Sequence, residues 1–336
     1  MFVALLQFFL CSAGLTVAGI YLTKNAEIIG ENTRLGSALA GMILLAGATS
    51  LPELAIGLVA AWKDLPNVVA GGVFGSNLFN LGILGVVDLM FRSRGRMLSR
   101  SSAAHALSGC ISMTLVATAA LGILAKDQVQ MGGLSISALA LIGVYVMGIR
   151  FVYYNAQYQK AAEQSPTETE RPAGKRPTQA LKAAYWRYFG AAAVIFFLAP
   201  FITSAAESIA NLSGLGESFV GTSFVGMASS MPELITTITA LKAGSVALAV
   251  GNIFGSNSFN MVIFAVSDLA YQGSLAAASA AVHGVTALAV IIVSTVVIVG
   301  QLYHVEKKFK FFEPDALLVL VLVVGALILI YFQPLA

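Results

Sequence analysis

The segment FGSNLFN at residues 74–80 returns as FGSNSFN at 254–260. The same offset of 180 residues joins Thr23 to Thr203, Glu27 to Glu207, Gly36 to Gly216, Pro52 to Pro232, Glu53 to Glu233 and Asp88 to Asp268. One ungapped offset held over so long a stretch marks an internal duplication. Any fold for this chain must therefore be built from two copies of one unit.

The solvent of those units follows from composition. Of 336 residues, 58% are hydrophobic and 10% charged, and the mean hydropathy is +0.85. That is too apolar for a water-soluble fold. Runs such as FVALLQFFLCSAGLTVAGIYL (2–22) and ALLVLVLVVGALILIYF (316–332) approach the length at which a helix crosses a hydrocarbon core. They do not alternate as barrel strands would. The pattern predicts an all-α polytopic membrane protein with ten spans, near 2–22, 36–61, 67–90, 102–124, 131–153, 188–209, 217–241, 245–269, 276–300 and 315–334. No Lys or Arg precedes the first span and Lys24 follows it, so it reads as a retained helix rather than a cleaved signal.

With these spans, 17 of the 19 Lys and Arg residues fall on one side and only Lys63 and Lys126 on the other. The positive-inside rule makes the crowded side cytoplasmic and puts both termini outside. The net charge of +3 is then a topology signal, and nucleic-acid binding need not be invoked. The polar segment QSPTETERPAGKRPTQ reads as part of a cytoplasmic linker, 155–187, between a first repeat (1–154) and a second (188–336). Each repeat holds five spans, an odd number, so the second enters the membrane from the opposite side. Inverted repeats of this kind belong to secondary transporters, whose sites lie near the bilayer midplane on interrupted helices of both halves.

Polar residues inside the spans locate such a site. AGATSLPELAIG (46–57) and GMASSMPELITT (226–237) each carry a mid-span proline, which removes a backbone donor and is expected to free carbonyls near Ala46 and Gly226. Thr49 and Ser229 lie four residues before Glu53 and Glu233, on the same helix face, and Ser50 and Ser230 lie three before. An ionised carboxylate at this depth costs roughly 2.5 to 3.5 kcal/mol on insertion scales. No Lys or Arg is predicted at comparable depth, so the compensator must be a bound cation or a proton. Ser76 with Asn80, and Ser256 with Asn260, add oxygen donors at i, i+4, while Gly75 and Gly255 are expected to loosen the backbone. An all-oxygen cage suits hard cations such as calcium or sodium, and two carboxylates neutralise one divalent ion.

Other residues read more simply. Cys11 and Cys110 lie in predicted spans as buried apolar thiols. Glu27, Glu207, Asp88 and Asp268 read as caps or interfacial charges ahead of vestibule groups for an arriving ion, His105 and His283 as packing or interfacial residues ahead of a proton relay, and Trp62 and Trp186 as interface anchors. Ser, Gly and Asn can also serve as packing glue between membrane helices. Two copies, each preceded by a mid-span Pro-Glu, favour the ion site.

At these residues the sequence resembles the calcium/cation antiporter superfamily, which includes the sodium/calcium exchangers. GATSLPEL with GGVFGSNLFN, and MASSMPEL with GNIFGSNSFN, look like its two α-repeats, and the likeness covers the whole ten-span plan. Ala48 and Ala228 stand where the family usually has Gly, Gly72 where the second half has Asn252, and Asn260 where some exchangers carry Asp. The resemblance implies alternating access, with calcium leaving the cell as sodium enters. By position, the metal ligands would be Thr49, Ser50, Glu53, Ser76, Asn80, Ser229, Ser230, Glu233, Ser256 and Asn260. Spans 2, 3, 7 and 8 would hold the ions while spans 1 and 6 move. The same Glu pair would serve a proton-coupled calcium exchanger, which stays open at this point. No enzyme motif such as His-Glu-x-x-His is present. The expected setting is the plasma or inner membrane, with no cofactor beyond the transported ions and no protein partner evident.

Overall fold

A chain whose backbone must satisfy its own hydrogen bonds in lipid is driven to helices. The computed structural model describes residues 2–33, 39–90, 105–163, 178–213, 226–302 and 314–332, and they are almost entirely helical. Helix α1 (Phe2–Asn32) is followed by a π-helical segment, Ala40–Leu45, which runs into the short α2 (Ala46–Thr49) and then α3 (Leu51–Trp62). Helices α4 (Pro66–Met90) and α5 (Ala106–Leu124) follow. A small hairpin, β1 (Gln130–Met131) and β2 (Leu134–Ser135), leads to α6 (Ile136–Glu163). Gly132 and Gly133 make its turn at φ of 64° and 85°, a conformation that favours glycine. The second half comprises α7 (Thr178–Ser213), α8 (Gly226–Ser229), α9 (Met231–Lys242), α10 (Val246–Ala270), α11 (Leu275–Ala278), α12 (Val282–Leu302) and α13 (Pro314–Tyr331).

Among the described residues, seven helices are long and apolar enough to cross a membrane: α1, α4, α5, α6, α7, α10 and α12. An eighth span results if Ala40–Thr49 and Leu51–Trp62, bent by 50° at their junction, count as one. Of the remaining predicted spans, 217–241 is represented by α8 and α9 alone, and 315–334 by the shorter α13. Helices overrun several predicted ends, because charged and polar residues at a helix terminus need not stop it once the chain leaves lipid. Thus α1 continues to Asn32, and α6 and α7 extend to Glu163 and from Thr178 into the segment read as linker. Arg34, the arginines at 92, 94, 96 and 100, and Lys307, Lys308 and Lys310, on which the sidedness reading leans, lie outside the described residues.

Helices α4 and α10 form the centre. About two thirds and three quarters of their spans are buried (67% and 78%), against 28% for α1 and α6 and 29% for α7. Helix α10 packs on α4, α3, α9, α5, α6 and the π-helical segment, while α1 lies along α7. The approach of the π-helical segment needs glycine on α10. A Cβ at Gly255 would meet the Met42 Cα and carbonyl oxygen at 2.6 Å. Both FGSN stretches therefore lie within unbroken helices, and Gly255 serves close packing rather than the loosened backbone expected of it. Its repeat mate Gly75 has nothing within 4 Å of such a Cβ.

Several smaller expectations are also decided. Cys11 is buried, but Cys110 is exposed on α5 rather than buried. Asp268 is a structural cap: its Oδ1 accepts the Leu275 N–H at 2.7 Å and its Oδ2 the Ser135 N–H at 2.6 Å. Trp62 and Trp186 are exposed, as anchors would be, and His105 and His283 are buried.

Candidate cation site

The two proline segments break their helices in the same way. Ser50 (φ −89°, ψ 7°) ends α2 and Ser230 (φ −83°, ψ 5°) precedes α9, and each proline then takes the second position of a new helix. Proline is well suited there, since its missing N–H would have no intrahelical partner. Glu53 and Glu233 thereby fall in the first turns of α3 and α9. The positive end of the helix dipole favours a carboxylate at that place. Near Ala46, where freed carbonyls are expected, the Ala46 carbonyl itself has partners. It accepts the Ser50 N–H at 3.0 Å and the Thr49 hydroxyl at 3.3 Å. Gly226 opens α8.

The structure brings the two halves together through these residues. Ser50 Oγ and Ser256 Oγ donate to Glu233 Oε1 at 3.3 and 3.4 Å, and Glu53 is hydrogen bonded to Ser229. Thr49 Oγ1 lies 3.4 Å from Ser256 Oγ, and Ser76 Oγ lies 3.5 Å from Ser229 Oγ. The last two contacts exchange when every number is shifted by 180, as a local two-fold axis between the repeats requires. The acids are all but closed off, with 7% of Glu53 and 1% of Glu233 exposed.

Five buried oxygens of the predicted set have no hydrogen-bond partner: Glu53 Oε2, Glu233 Oε2, Asn80 Oδ1, Asn260 Oδ1 and Ser230 Oγ. The first four are two repeat-related pairs. Buried carboxylate and amide oxygens are rarely left without partners in a folded protein. These four acceptors, two on the acids and two on the asparagines, have among the described residues no Lys, Arg or His bonded to them, and a hard cation would complete them. Among those residues no group of three or more His, Cys, Asp or Glu side chains occurs, so a cation here would rely on hydroxyl and amide oxygens beside the two acids.

Sequence reasoning missed three buried asparagines. Asn77 and Asn257 hydrogen bond across the repeats, to each other's carbonyls at 3.3 Å. Asn252 Nδ2 contacts the Glu233 carbonyl at 3.3 Å, Thr236 Oγ1 at 2.9 Å and Thr237 Oγ1 at 3.0 Å. For Asn77 and Asn257 the signal was present: they recur at the same offset, three residues before Asn80 and Asn260 and so on the same helix face.

Residues 3–154 and 184–332 match the sodium/calcium exchanger protein family. The chain belongs to that family. It is accordingly an integral membrane cation antiporter, from a family of transporters rather than enzymes. Among its relatives, inner membrane protein YrbG of Escherichia coli strain K12 is 27% identical over 248 residues, covering 72% of each chain. Sodium/calcium exchanger MaX1 of Methanosarcina acetivorans is 24% identical over 279 residues, covering 76% of this antiporter and 80% of MaX1. The fold is similar to that of the sodium-calcium exchanger NCX_Mj soaked with 10 mM sodium and no calcium. The TM-score is 0.73 at 20% identity, over 98% of the antiporter and 99% of that chain.

Proposed function

We propose that this antiporter exchanges sodium for calcium by alternating access at a midplane site, in the plasma or inner membrane. The observation that carries the reading is the repeat-related set of partnerless oxygens, Glu53 Oε2, Glu233 Oε2, Asn80 Oδ1 and Asn260 Oδ1, buried between α3, α4, α9 and α10. The name of MaX1 and the likeness to NCX_Mj support sodium and calcium as the cargo. Thr49, Ser50, Ser76, Ser229, Ser230 and Ser256 complete the oxygen set, with backbone carbonyls beside the two helix breaks.

In this reading the chain is two inverted five-helix repeats, 1–154 and 188–336, joined on the cytoplasmic side, with both termini outside. One calcium balances both carboxylates, and sodium ions replace it in the return step. An empty site leaves two charges uncompensated in a closed path, which disfavours uncoupled crossing. Helices α1 and α7, packed along one another outside the buried centre, move against α3, α4, α9 and α10. Calcium and sodium are cargo, and no resident cofactor takes part.

The driving ion is tested in proteoliposomes. Calcium uptake should require internal sodium and be unaffected by a pH gradient alone. Uptake driven by the pH gradient and indifferent to sodium would instead assign a proton-coupled calcium exchanger, with the Glu pair alternately protonated and metal-bound.

A further inference from the structure

We infer that Asn77 and Asn257 are positioning residues, each aiming the ion-facing amide of the opposite repeat: Asn77 orients Asn260, and Asn257 orients Asn80. This deepens the cation-exchange reading of the same site and rests on it.

Four hydrogen bonds form a closed clasp between α4 and α10. Asn77 Nδ2 donates to the Asn257 carbonyl and Asn257 Nδ2 to the Asn77 carbonyl, both at 3.3 Å. Asn80 Nδ2 donates to Asn257 Oδ1 and Asn260 Nδ2 to Asn77 Oδ1, both at 2.9 Å. Shifting every number by 180 turns the set into itself. Asn77 and Asn257 are fully buried, and each uses its amide nitrogen and its amide oxygen within the clasp.

The consequence for Asn80 and Asn260 is geometric. A planar amide that commits its nitrogen to one side must present its oxygen on the other, and those two oxygens are the ones left without partners. Turning either amide over would set its oxygen against the oxygen of Asn257 or Asn77, exchanging a hydrogen bond for lone-pair repulsion. It would also aim an N–H pair at the place where a cation needs an acceptor. The clasp thus fixes the polarity of two neutral ligands, much as an outer partner fixes the orientation of a metal-bound side chain. It does so across the duplication, so neither repeat can orient its own amide ligand alone.

Cross-repeat control gives a test that a general packing role would not pass. Calcium affinity is measured on the purified antiporter by titration, with thermal unfolding in calcium-free buffer as the check on folding. Asn77→Ala should weaken calcium binding roughly ten- to a hundredfold, the range typical when an outer partner of a metal ligand is lost. In an Asn260→Ala background the same change should weaken binding less than about twofold, since the amide it aims is gone. In an Asn80→Ala background it should keep its full effect. Equal effects in both backgrounds, or a single variant with wild-type affinity, would overturn the inference. If Asn77→Ala does not fold, Asn257→Ala with Asn80→Ala and Asn260→Ala as its two backgrounds carries the mirrored test. Wild-type protein that binds neither calcium nor sodium would overturn the exchange reading and this inference with it, whereas wild-type binding without cross-repeat coupling would overturn this inference alone.

Discussion

Glu233→Gln separates what the acid does for the ion from what it does to the fold. The substitution keeps the side-chain shape and an oxygen that can accept from Ser50 and Ser256, but it removes one of two charges from a site that is 1% exposed. A bound divalent ion would then carry one uncompensated charge at membrane depth, where a charge costs roughly 2.5 to 3.5 kcal/mol. At about 1.4 kcal/mol per decade, calcium affinity should fall roughly a hundredfold. The assay is thermal unfolding in detergent with and without calcium. Calcium at a hundred times the wild-type dissociation constant stabilises the folded state by about 2.7 kcal/mol, and at the weakened affinity by only about 0.4 kcal/mol. Without calcium, the variant should be at least as stable as wild type, because a buried charge without a counterion is gone. A variant that keeps the full calcium-induced shift, or that is less stable than wild type only when calcium is absent, would refute this reasoning.

Three further outcomes follow from particular contacts. Gly255→Ala should lower stability by roughly 1–3 kcal/mol, because its Cβ runs into Met42 backbone atoms, while Gly75→Ala, with open space, should change it far less; equal losses in unfolding experiments would contradict the packing described. Asp268→Ala should destabilise by roughly 1.5–3 kcal/mol through loss of the bonds from the Ser135 and Leu275 N–H groups, yet leave calcium affinity near wild type, and an affinity change above tenfold would place Asp268 on the ion path instead. A lipid-soluble maleimide should label Cys110 well before Cys11, as read by mass spectrometry of the peptides carrying each cysteine, and the reverse order would contradict their assigned exposures.

The duplication carried most of the site into view. Because Pro52-Glu53 and Pro232-Glu233 recur at a fixed offset beside the FGSN stretches, residues far apart in the chain could be assigned to one place, and the structure does join Ser50 to Glu233 and Ser76 to Ser229. Proline chemistry was legible at both mid-span positions. It marked both helix breaks, and each break starts a fresh helix under an acid. Gly255 was misread because a glycine in a polar stretch looks the same whether it bends the backbone or admits a neighbour, and only the position of Met42 distinguishes the two. Asn77 and Asn257 share the fixed offset and the helix face of Asn80 and Asn260, but their bonds to each other's backbone carbonyls show only once the two helices are brought together. Helices α1, α6 and α7 run beyond the predicted spans because hydropathy reports where lipid ends, while helical hydrogen bonding continues into water.

The most direct test of the central claim is equilibrium binding of radioactive calcium to the purified antiporter, with sodium as competitor, for wild type and for the double variant Glu53→Gln, Glu233→Gln. Saturable binding that sodium displaces, and that disappears in the double variant while the protein stays folded, is the predicted result. Calcium binding that survives removal of both carboxylates, or wild-type protein that binds neither ion, would contradict the account.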